Sequence, residues 1–145
     1  MKFLSFYFLI FLFGCTIQNQ DEKLILDFVI SCKDKKANPE LLRNKYFCKS
    51  KNTKVNQGAL NKFIEDQISE LCNEMQSQDL AALKLSRADE DPEVKKEFLN
   101  EDFSKVFILK AGQKNVRYFL INNGKIASFI VMNKGGIKSF MPLCN

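Results

Sequence analysis

Four apolar runs separated by short turn sequences follow Phe103, and they constrain the fold more than any other feature of the chain. The runs cover residues 105–110, 116–122, 125–132 and 137–142. Asn123-Gly124 joins the second run to the third, and this dipeptide favours a type I′ hairpin turn because both central positions require a positive φ. The sequence therefore predicts a four-stranded antiparallel β-meander in the C-terminal part of the chain.

A two-residue turn at Asn123-Gly124 also predicts which side chains share each face of the hairpin. The pairs on one face are Val116–Val131, Tyr118–Phe129 and Leu120–Ala127; those on the other are Arg117–Ile130, Phe119–Ser128 and Ile121–Ile126, and Asn122 lies opposite Lys125. A sheet with one wet face alternates apolar and polar residues, whereas both of these faces are mainly apolar. We therefore expect both faces to be covered.

The second of these faces is the candidate site for a ligand or a partner. The long helix described below can cover one face, and the other can be covered by the first two helices, by a second subunit or by a ligand in a sheet-lined pocket. An unpaired charge on an apolar face is costly, so two positions are open to Arg117. It either lies at the sheet margin with its charge in water, or it binds an anionic headgroup or a partner's carboxylate. The candidate ligand or interface residues are Arg117, Phe119, Ile121, Ile126 and Ile130.

Helical periodicity and capping residues precede the strands. Helices are predicted over residues 21–32, from Pro39 to about Cys48, over residues 60–75 and from Pro92 to about Leu99. Asn38 and Asp91 each stand directly before a proline, which is the arrangement of an N-cap followed by the first helical residue. Residues 80–86 fit a strand and a helix equally well.

Helices followed by an antiparallel sheet define an α+β fold. Residues 21–145 are predicted to form a single globular domain, because their number suits one ordinary core. The arrangement loosely resembles the cystatin-like and nuclear-transport-factor-like folds. That resemblance concerns the order of helices and sheet and implies no function.

The first fifteen residues predict export and lipid attachment. Met1-Lys2 is a short basic start, and the apolar run over residues 3–13 has the length of a signal-peptide core, whereas a membrane-spanning helix needs about 20 apolar residues. Leu12-Phe13-Gly14-Cys15 resembles the lipobox of bacterial lipoproteins. The resemblance implies that residues 1–14 are a cleaved signal peptide and that Cys15 becomes a lipidated N-terminus, with a diacylglyceryl group on sulfur and a further acyl chain such as palmitate.

Residues 15–20 then form the lipidated cysteine and a short polar tether. Several acyl chains anchor a protein more firmly than one, at about 0.8 kcal/mol per buried CH₂. Thr16, rather than Asp, follows the cysteine, and by the enterobacterial sorting rule this points to the outer membrane of the bacterial cell envelope. An uncleaved anchor and an ordinary signal peptide are the alternatives.

Four further cysteines suit an exported chain with two disulfides. They are Cys32, Cys48, Cys72 and Cys144. Three connectivities exist for four cysteines, and buried free thiols are the alternative. Pairing by proximity in sequence gives Cys32–Cys48 and Cys72–Cys144, which is the pairing that we predict. No two cysteines have C-x-x-C spacing, so neither thioredoxin-like chemistry nor a thiolate zinc site is indicated.

The composition disfavours catalysis, metal binding and nucleic-acid binding. The chain has no histidine, which removes the His-containing triads and most zinc sites. The acidic cluster at residues 89–93 lacks the spacing of a calcium loop. Loss of residues 1–14 lowers the formal net charge from +5 to +4, because Lys2 leaves with them, and the remaining lysines are scattered along the chain. We therefore expect no cofactor, no metal and no nucleic-acid partner.

These observations predict a non-catalytic, membrane-anchored envelope lipoprotein that acts as a binding or interaction module. Its partner is either a small amphipathic ligand or a protein, as for inhibitor and immunity lipoproteins. A structural envelope component that works as a homodimer is the remaining alternative. A ligand-binding module needs a closed apolar pocket, whereas an inhibitor or a dimer needs an exposed apolar patch.

Overall fold

The computed structural model describes residues 19–51, 54, 56–99 and 101–144. The helices in these ranges are α1 (Gln20–Cys32), α2 (Pro39–Tyr46), α3 (Gln57–Gln76) and α4 (Pro92–Glu97). The strands are β1 (Leu83–Arg87), β2 (Val106–Ala111), β3 (Lys114–Asn122), β4 (Lys125–Ser128), β5 (Val131–Lys134) and β6 (Ile137–Phe140). The predicted signal peptide and Cys15 lie outside the described residues. Within the described ranges, no helix has both the length and the apolarity needed to cross a membrane.

The two helices that were predicted to begin at a proline do begin there, because the residue before each proline caps the helix. The Oδ1 atom of Asn38 accepts hydrogen bonds from the backbone N–H groups of Glu40 at 2.9 Å and Leu41 at 3.2 Å. Asp91 caps α4 through the corresponding two N–H groups. In both cases the side chain satisfies N–H groups that have no partner within the helix.

Both of these helices end slightly earlier than predicted. The residue that follows each helix, Phe47 after α2 and Phe98 after α4, has an extended backbone. Phe47 forms a parallel bridge with Ile126 of β4, and Phe98 forms one with Lys138 of β6. Contact with a neighbouring strand therefore replaces the last helical turn.

Strands β1 to β4 form a four-stranded antiparallel sheet in that order, which confirms the α+β fold. β1 arises from residues 80–86, whose sequence fitted both a strand and a helix. Asp79 accepts a hydrogen bond from the N–H group of Ala81 and caps a short 3₁₀ helix over Leu80–Ala82. The chain then becomes extended and pairs with β2.

The third predicted strand is wrong, because the run of residues 125–132 is broken into two strands. β4 ends at Ser128, whereas β5 begins at Val131 and pairs with β6 in a separate two-stranded sheet. Ser128 is fully buried, and its Oγ atom accepts a hydrogen bond from the N–H group of Ile130 at 3.2 Å and donates one to the carbonyl of Met141 at 2.6 Å. These side-chain bonds replace the strand ladder at the break, and β1 supplies the fourth strand of the sheet.

The predicted hairpin turn forms between β3 and β4. Asn123 and Gly124 both have positive φ, of 50° and 66° respectively, as a type I′ turn requires. The two predicted pairs next to the turn are confirmed, namely Asn122–Lys125 and Ile121–Ile126.

The predicted register is wrong beyond those two pairs, because a β-bulge lies in β4. Ser128 lies opposite Leu120, the position predicted for Ala127. The carbonyl of Ala127 accepts a hydrogen bond from the N–H group of Leu143 at 3.2 Å, so the C-terminal segment bonds to the bulged strand. The predicted pairs that do not form are Leu120–Ala127, Phe119–Ser128, Tyr118–Phe129, Arg117–Ile130 and Val116–Val131.

Helices α1, α2 and α3 together cover one face of the sheet. Phe28 of α1 is fully buried at the centre of this helical side of the core. Its ring centroid lies 5.3 to 6.4 Å from those of four aromatic residues, Tyr46, Phe47, Phe119 and Phe129. These distances suit tilted and edge-to-face aromatic contacts.

The opposite face is covered as well, as predicted, but not by the first two helices, which lie with α3 on the other face. α4 and the β5–β6 hairpin provide the cover instead. Their buried residues Val94, Phe98 and Phe140 pack with Val106 and Ile108 of β2. The ring of Phe98 stacks on that of Phe140 with centroids 5.2 Å apart.

Two disulfides form, as predicted from the cysteine count, but the predicted pairing is wrong. Cys32 pairs with Cys72, and Cys48 pairs with Cys144. α1 and α3 pack against each other and bring the Cα atoms of Cys32 and Cys72 to 4.5 Å. Cys48 leaves α2 beside β4, and the C-terminal segment passes β4 as well, so Cys48 meets Cys144 rather than the nearer cysteine in sequence.

Candidate functional site

The face predicted to hold a ligand or a partner is covered by the helices of this chain. Phe119, Ile121 and Ile126 have at most 2% of their surface exposed and belong to the core beneath α1, α2 and α3. Ile130 is half-buried at the edge of the same core. These side chains therefore lie together inside the domain rather than on an open surface.

Arg117 lies at the margin of this face and forms an ion pair with Glu74 of α3. About a third of each side chain is exposed, 31% for Arg117 and 37% for Glu74. Of the two alternatives that the sequence left open for Arg117, the sheet margin is therefore where it lies, and the carboxylate that it binds belongs to the same chain. The Nε atom of Arg117 is buried and has no hydrogen-bond partner among the described residues.

A different part of the molecule is concave, open and basic. Two adjoining clefts of about 290 and 490 Å³ share Asn44, Cys48 and Lys49 and meet beside the Cys48–Cys144 disulfide. We call the combined feature the disulfide groove. One cleft continues between the end of α2 and the first turns of α3, and the other continues to the β3–β4 turn.

The groove lies along the outer edge of β4. The N–H group of Cys48 donates to the carbonyl of Ile126 at 3.2 Å, and that of Leu143 donates to the carbonyl of Ala127. The two segments that cover this edge are joined to each other by the Cys48–Cys144 bond. The disulfide therefore holds both walls of the groove against the sheet, and it also closes a strand edge that would otherwise be open.

In the part of the chain that the structure describes, four cationic side chains line the groove. Arg43 is mostly buried, and its Nε atom donates to Glu65 of α3 at 3.0 Å. The Nζ atom of Lys125 donates to the carbonyl of Lys45 at 2.6 Å, at the C-terminal end of α2, where a cation also suits the helix dipole. Lys49 and Lys51 are exposed on the loop after α2 and line the clefts.

The charged side chains in the described lining of the groove are all cationic. Among the described residues, no aspartate or glutamate lines either cleft. Lys45 lies next to the groove with its Nζ atom 4.8 Å from the ring centre of Tyr46, and interaction with the Tyr46 side chain raises the pKa of Lys45. A concave surface of one sign concentrates ions of the opposite sign.

Carboxamides and apolar side chains complete the groove. Asn44, Asn61, Asn122 and Asn123 contribute amide groups that can both donate and accept hydrogen bonds. The floor contains apolar side chains: Leu60, Ile64 and Leu143 in one cleft and Phe47 in the other. The arrangement therefore offers positive charge, hydrogen bonds and a limited apolar contact together.

The adjoining cleft on the far side of Cys144 has a different charge. It measures about 230 Å³, and its lining includes Glu101, Asp102 and Lys105. The hydrogen bond from Ser104 and the nearby Lys105 lower the pKa of Asp102, so this carboxylate is negative at neutral pH. The basic surface thus ends at Cys144.

The groove was missed at the sequence level, although a signal for it exists. Residues 43–54 contain five basic residues and no acidic one. They are Arg43, Lys45, Lys49, Lys51 and Lys54. Treating the lysines of the whole chain as scattered concealed this local cluster. The contribution of Lys125 could not be foreseen, because it depends on β4 lying beside α2.

Among the described residues, no group of three or more histidine, cysteine, aspartate or glutamate side chains is placed to hold a metal ion. The chemistry that the groove offers is binding of a negatively charged group by ammonium, guanidinium and amide donors. Comparison of this chain with protein-family models, with curated protein sequences and with solved structures finds no match.

Proposed function

We propose that this chain is a lipid-anchored lipoprotein of the bacterial cell envelope that binds an anionic partner in the disulfide groove and catalyses no reaction. The anchor part of the proposal rests on the lipobox-like Leu12-Phe13-Gly14-Cys15. The binding part rests on one observation, the alignment of cationic side chains along a groove without a carboxylate in its described lining.

The distribution of charge supports binding over a purely structural role for these lysines. Lys49 and Lys51 reach the groove from the same loop, and Lys125 reaches it from the opposite wall. Like charges that face each other repel, so this arrangement costs free energy in the absence of a bound anion. An anion between the walls would relieve that repulsion.

The anchor is tested by the substitution Cys15→Ala. We expect complete loss of radiolabelled palmitate incorporation and accumulation of a larger, unprocessed form, because a lipobox requires the thiol of that cysteine. The control is Cys48→Ala/Cys144→Ala, which removes two other cysteines, joined in a disulfide, and leaves labelling unchanged. Normal labelling of the Cys15→Ala protein would show that the anchor assignment is wrong.

The groove is tested by titrating citrate, a tricarboxylate, into the ¹⁵N-labelled full chain and following amide chemical shifts. We expect the largest shifts at residues 48–51 and 122–125 and weaker binding as salt is added. Lys49→Gln/Lys51→Gln should weaken binding about fivefold, because each exposed charge pair contributes about 0.5 kcal/mol.

The matched control for this titration is Lys114→Gln/Lys134→Gln. Both control lysines are exposed and neither lines the groove, so citrate affinity should be unchanged. An equal loss in both double variants would mean that citrate senses only the total charge of the protein. That result, or an absence of any shift in the groove, would disprove the binding site.

A further inference from the structure

We infer that the natural occupant of the disulfide groove is an acidic stretch of polypeptide that lies along it in an extended conformation. This inference rests on the proposed function and names the class of partner. The partner would be a protein with a segment rich in aspartate and glutamate, rather than a lipid headgroup or a free small anion.

The first reason is the length of the charged surface. Arg43 lines one cleft, Lys51 and Lys125 line the other, and Lys49 lies between them. A single carboxylate or phosphate would contact only one part of this series. A chain that carries several carboxylates can pair with Lys49, Lys51 and Lys125 at once, because its residues repeat about every 3.3 Å when it is extended.

The second reason is the mixture of hydrogen-bonding groups. Lysine and arginine side chains only donate, which is sufficient for a phosphate or a carboxylate. Asn44, Asn61 and the pair Asn122 and Asn123 add carbonyl acceptors as well as donors. An extended peptide presents both N–H and C=O groups and needs both kinds of partner, whereas a small inorganic anion has no N–H to donate.

The experiment uses the full chain in a non-ionic detergent and a fluorescein-labelled peptide of ten glutamates. Fluorescence anisotropy measures its affinity, and competition measures the affinities of citrate and of polygalacturonate, an acidic polysaccharide. We expect the peptide to bind at least tenfold more tightly than citrate. Lys49→Gln/Lys51→Gln should weaken peptide binding about fivefold, because two exposed charge pairs of about 0.5 kcal/mol each are lost, and Lys114→Gln/Lys134→Gln should leave the peptide affinity unchanged.

The amide contribution is tested separately with Asn122→Ala/Asn123→Gly. The second change keeps a residue that tolerates the positive φ of the turn. If the peptide backbone is bound, this variant should lower the affinity for the peptide at least threefold and change the affinity for citrate by less than twofold. Equal effects on the two ligands would overturn the assignment of an extended peptide.

The remaining outcomes separate the two proposals. If citrate binds in the groove and the peptide binds no more tightly, the inference fails and the proposed function stands. If neither binds, both fail. Tighter binding of polygalacturonate than of the peptide, or of vesicles containing phosphatidylglycerol through Lys49 and Lys51, would likewise overturn a polypeptide partner.

Discussion

Cys48→Ala/Cys144→Ala is expected to lower the free energy of unfolding by about 4 to 5 kcal/mol. The two cysteines are separated by 96 residues in sequence, and a cross-link that closes a loop of about 100 residues removes about 4.7 kcal/mol of chain entropy from the unfolded state. Urea denaturation followed by circular dichroism measures the difference. A loss below about 1 kcal/mol would show that this bond contributes little to stability.

The same variant should loosen one edge of the sheet more than its centre. Without the disulfide, the hydrogen bonds from Cys48 to Ile126 and from Leu143 to Ala127 are held only by local packing. Hydrogen exchange should therefore accelerate first at the N–H groups of residues 48 and 143. The amides of β2, which has a strand on each side, should remain protected until the domain unfolds globally.

Phe28→Ala is expected to destabilise the domain by about 3 to 5 kcal/mol, the usual cost of truncating a buried phenylalanine. Its ring is fully buried and contacts the rings of Tyr46, Phe47, Phe119 and Phe129. The truncation would leave a cavity where α1, α2 and the sheet meet, and none of these elements can close it without losing contacts elsewhere.

Phe63→Ala is the matched control for Phe28→Ala. Phe63 also lies on a helix but is 38% exposed, so its loss should cost less than about 1.5 kcal/mol. Urea denaturation of both variants gives the comparison. Similar losses for the two would contradict the central place of Phe28 in the core.

The sequence predicted correctly the elements that are stabilised by interactions between residues close together in the chain. The caps Asn38 and Asp91 and the turn at Asn123-Gly124 act through bonds to the next few residues, and all three form as expected. Helical spacing predicted α3 for the same reason. Such features depend on neighbouring residues and can be read directly from the order of residues.

The features that depend on distant partners were not predictable in this way. Ser128 reads as an ordinary strand residue until Met141 lies beside it and accepts its hydrogen bond. The bulge at Ala127 likewise depends on Leu143. Each contact is made by the C-terminal segment. The pattern of apolar and polar residues in β3 and β4 does not indicate that this segment lies along β4.

The candidate site likewise combines a feature that is visible in the sequence with features that depend on distant parts of the chain. The basic residues between positions 43 and 54 are visible in sequence, but a groove needs a second wall. That wall is supplied by the β3–β4 turn and by Cys144. The predicted site was placed on the face of Arg117, because an apolar face was easy to recognise, and there the chain's own helices and Glu74 provide the contacts.

The order of the cysteines along the chain governs how the domain can be oxidised during synthesis. Cys32 and Cys48 precede Cys72 in the chain, so if the chain meets an oxidising compartment N-terminus first, the first of these thiols available to Cys32 belongs to the wrong partner. A premature Cys32–Cys48 bond would have to be exchanged through attack by the thiolate of Cys72. Efficient maturation therefore requires either that Cys32 stay reduced until Cys72 is available or that a disulfide isomerase be present. The second disulfide can form only when Cys144, near the end of the chain, is available to Cys48.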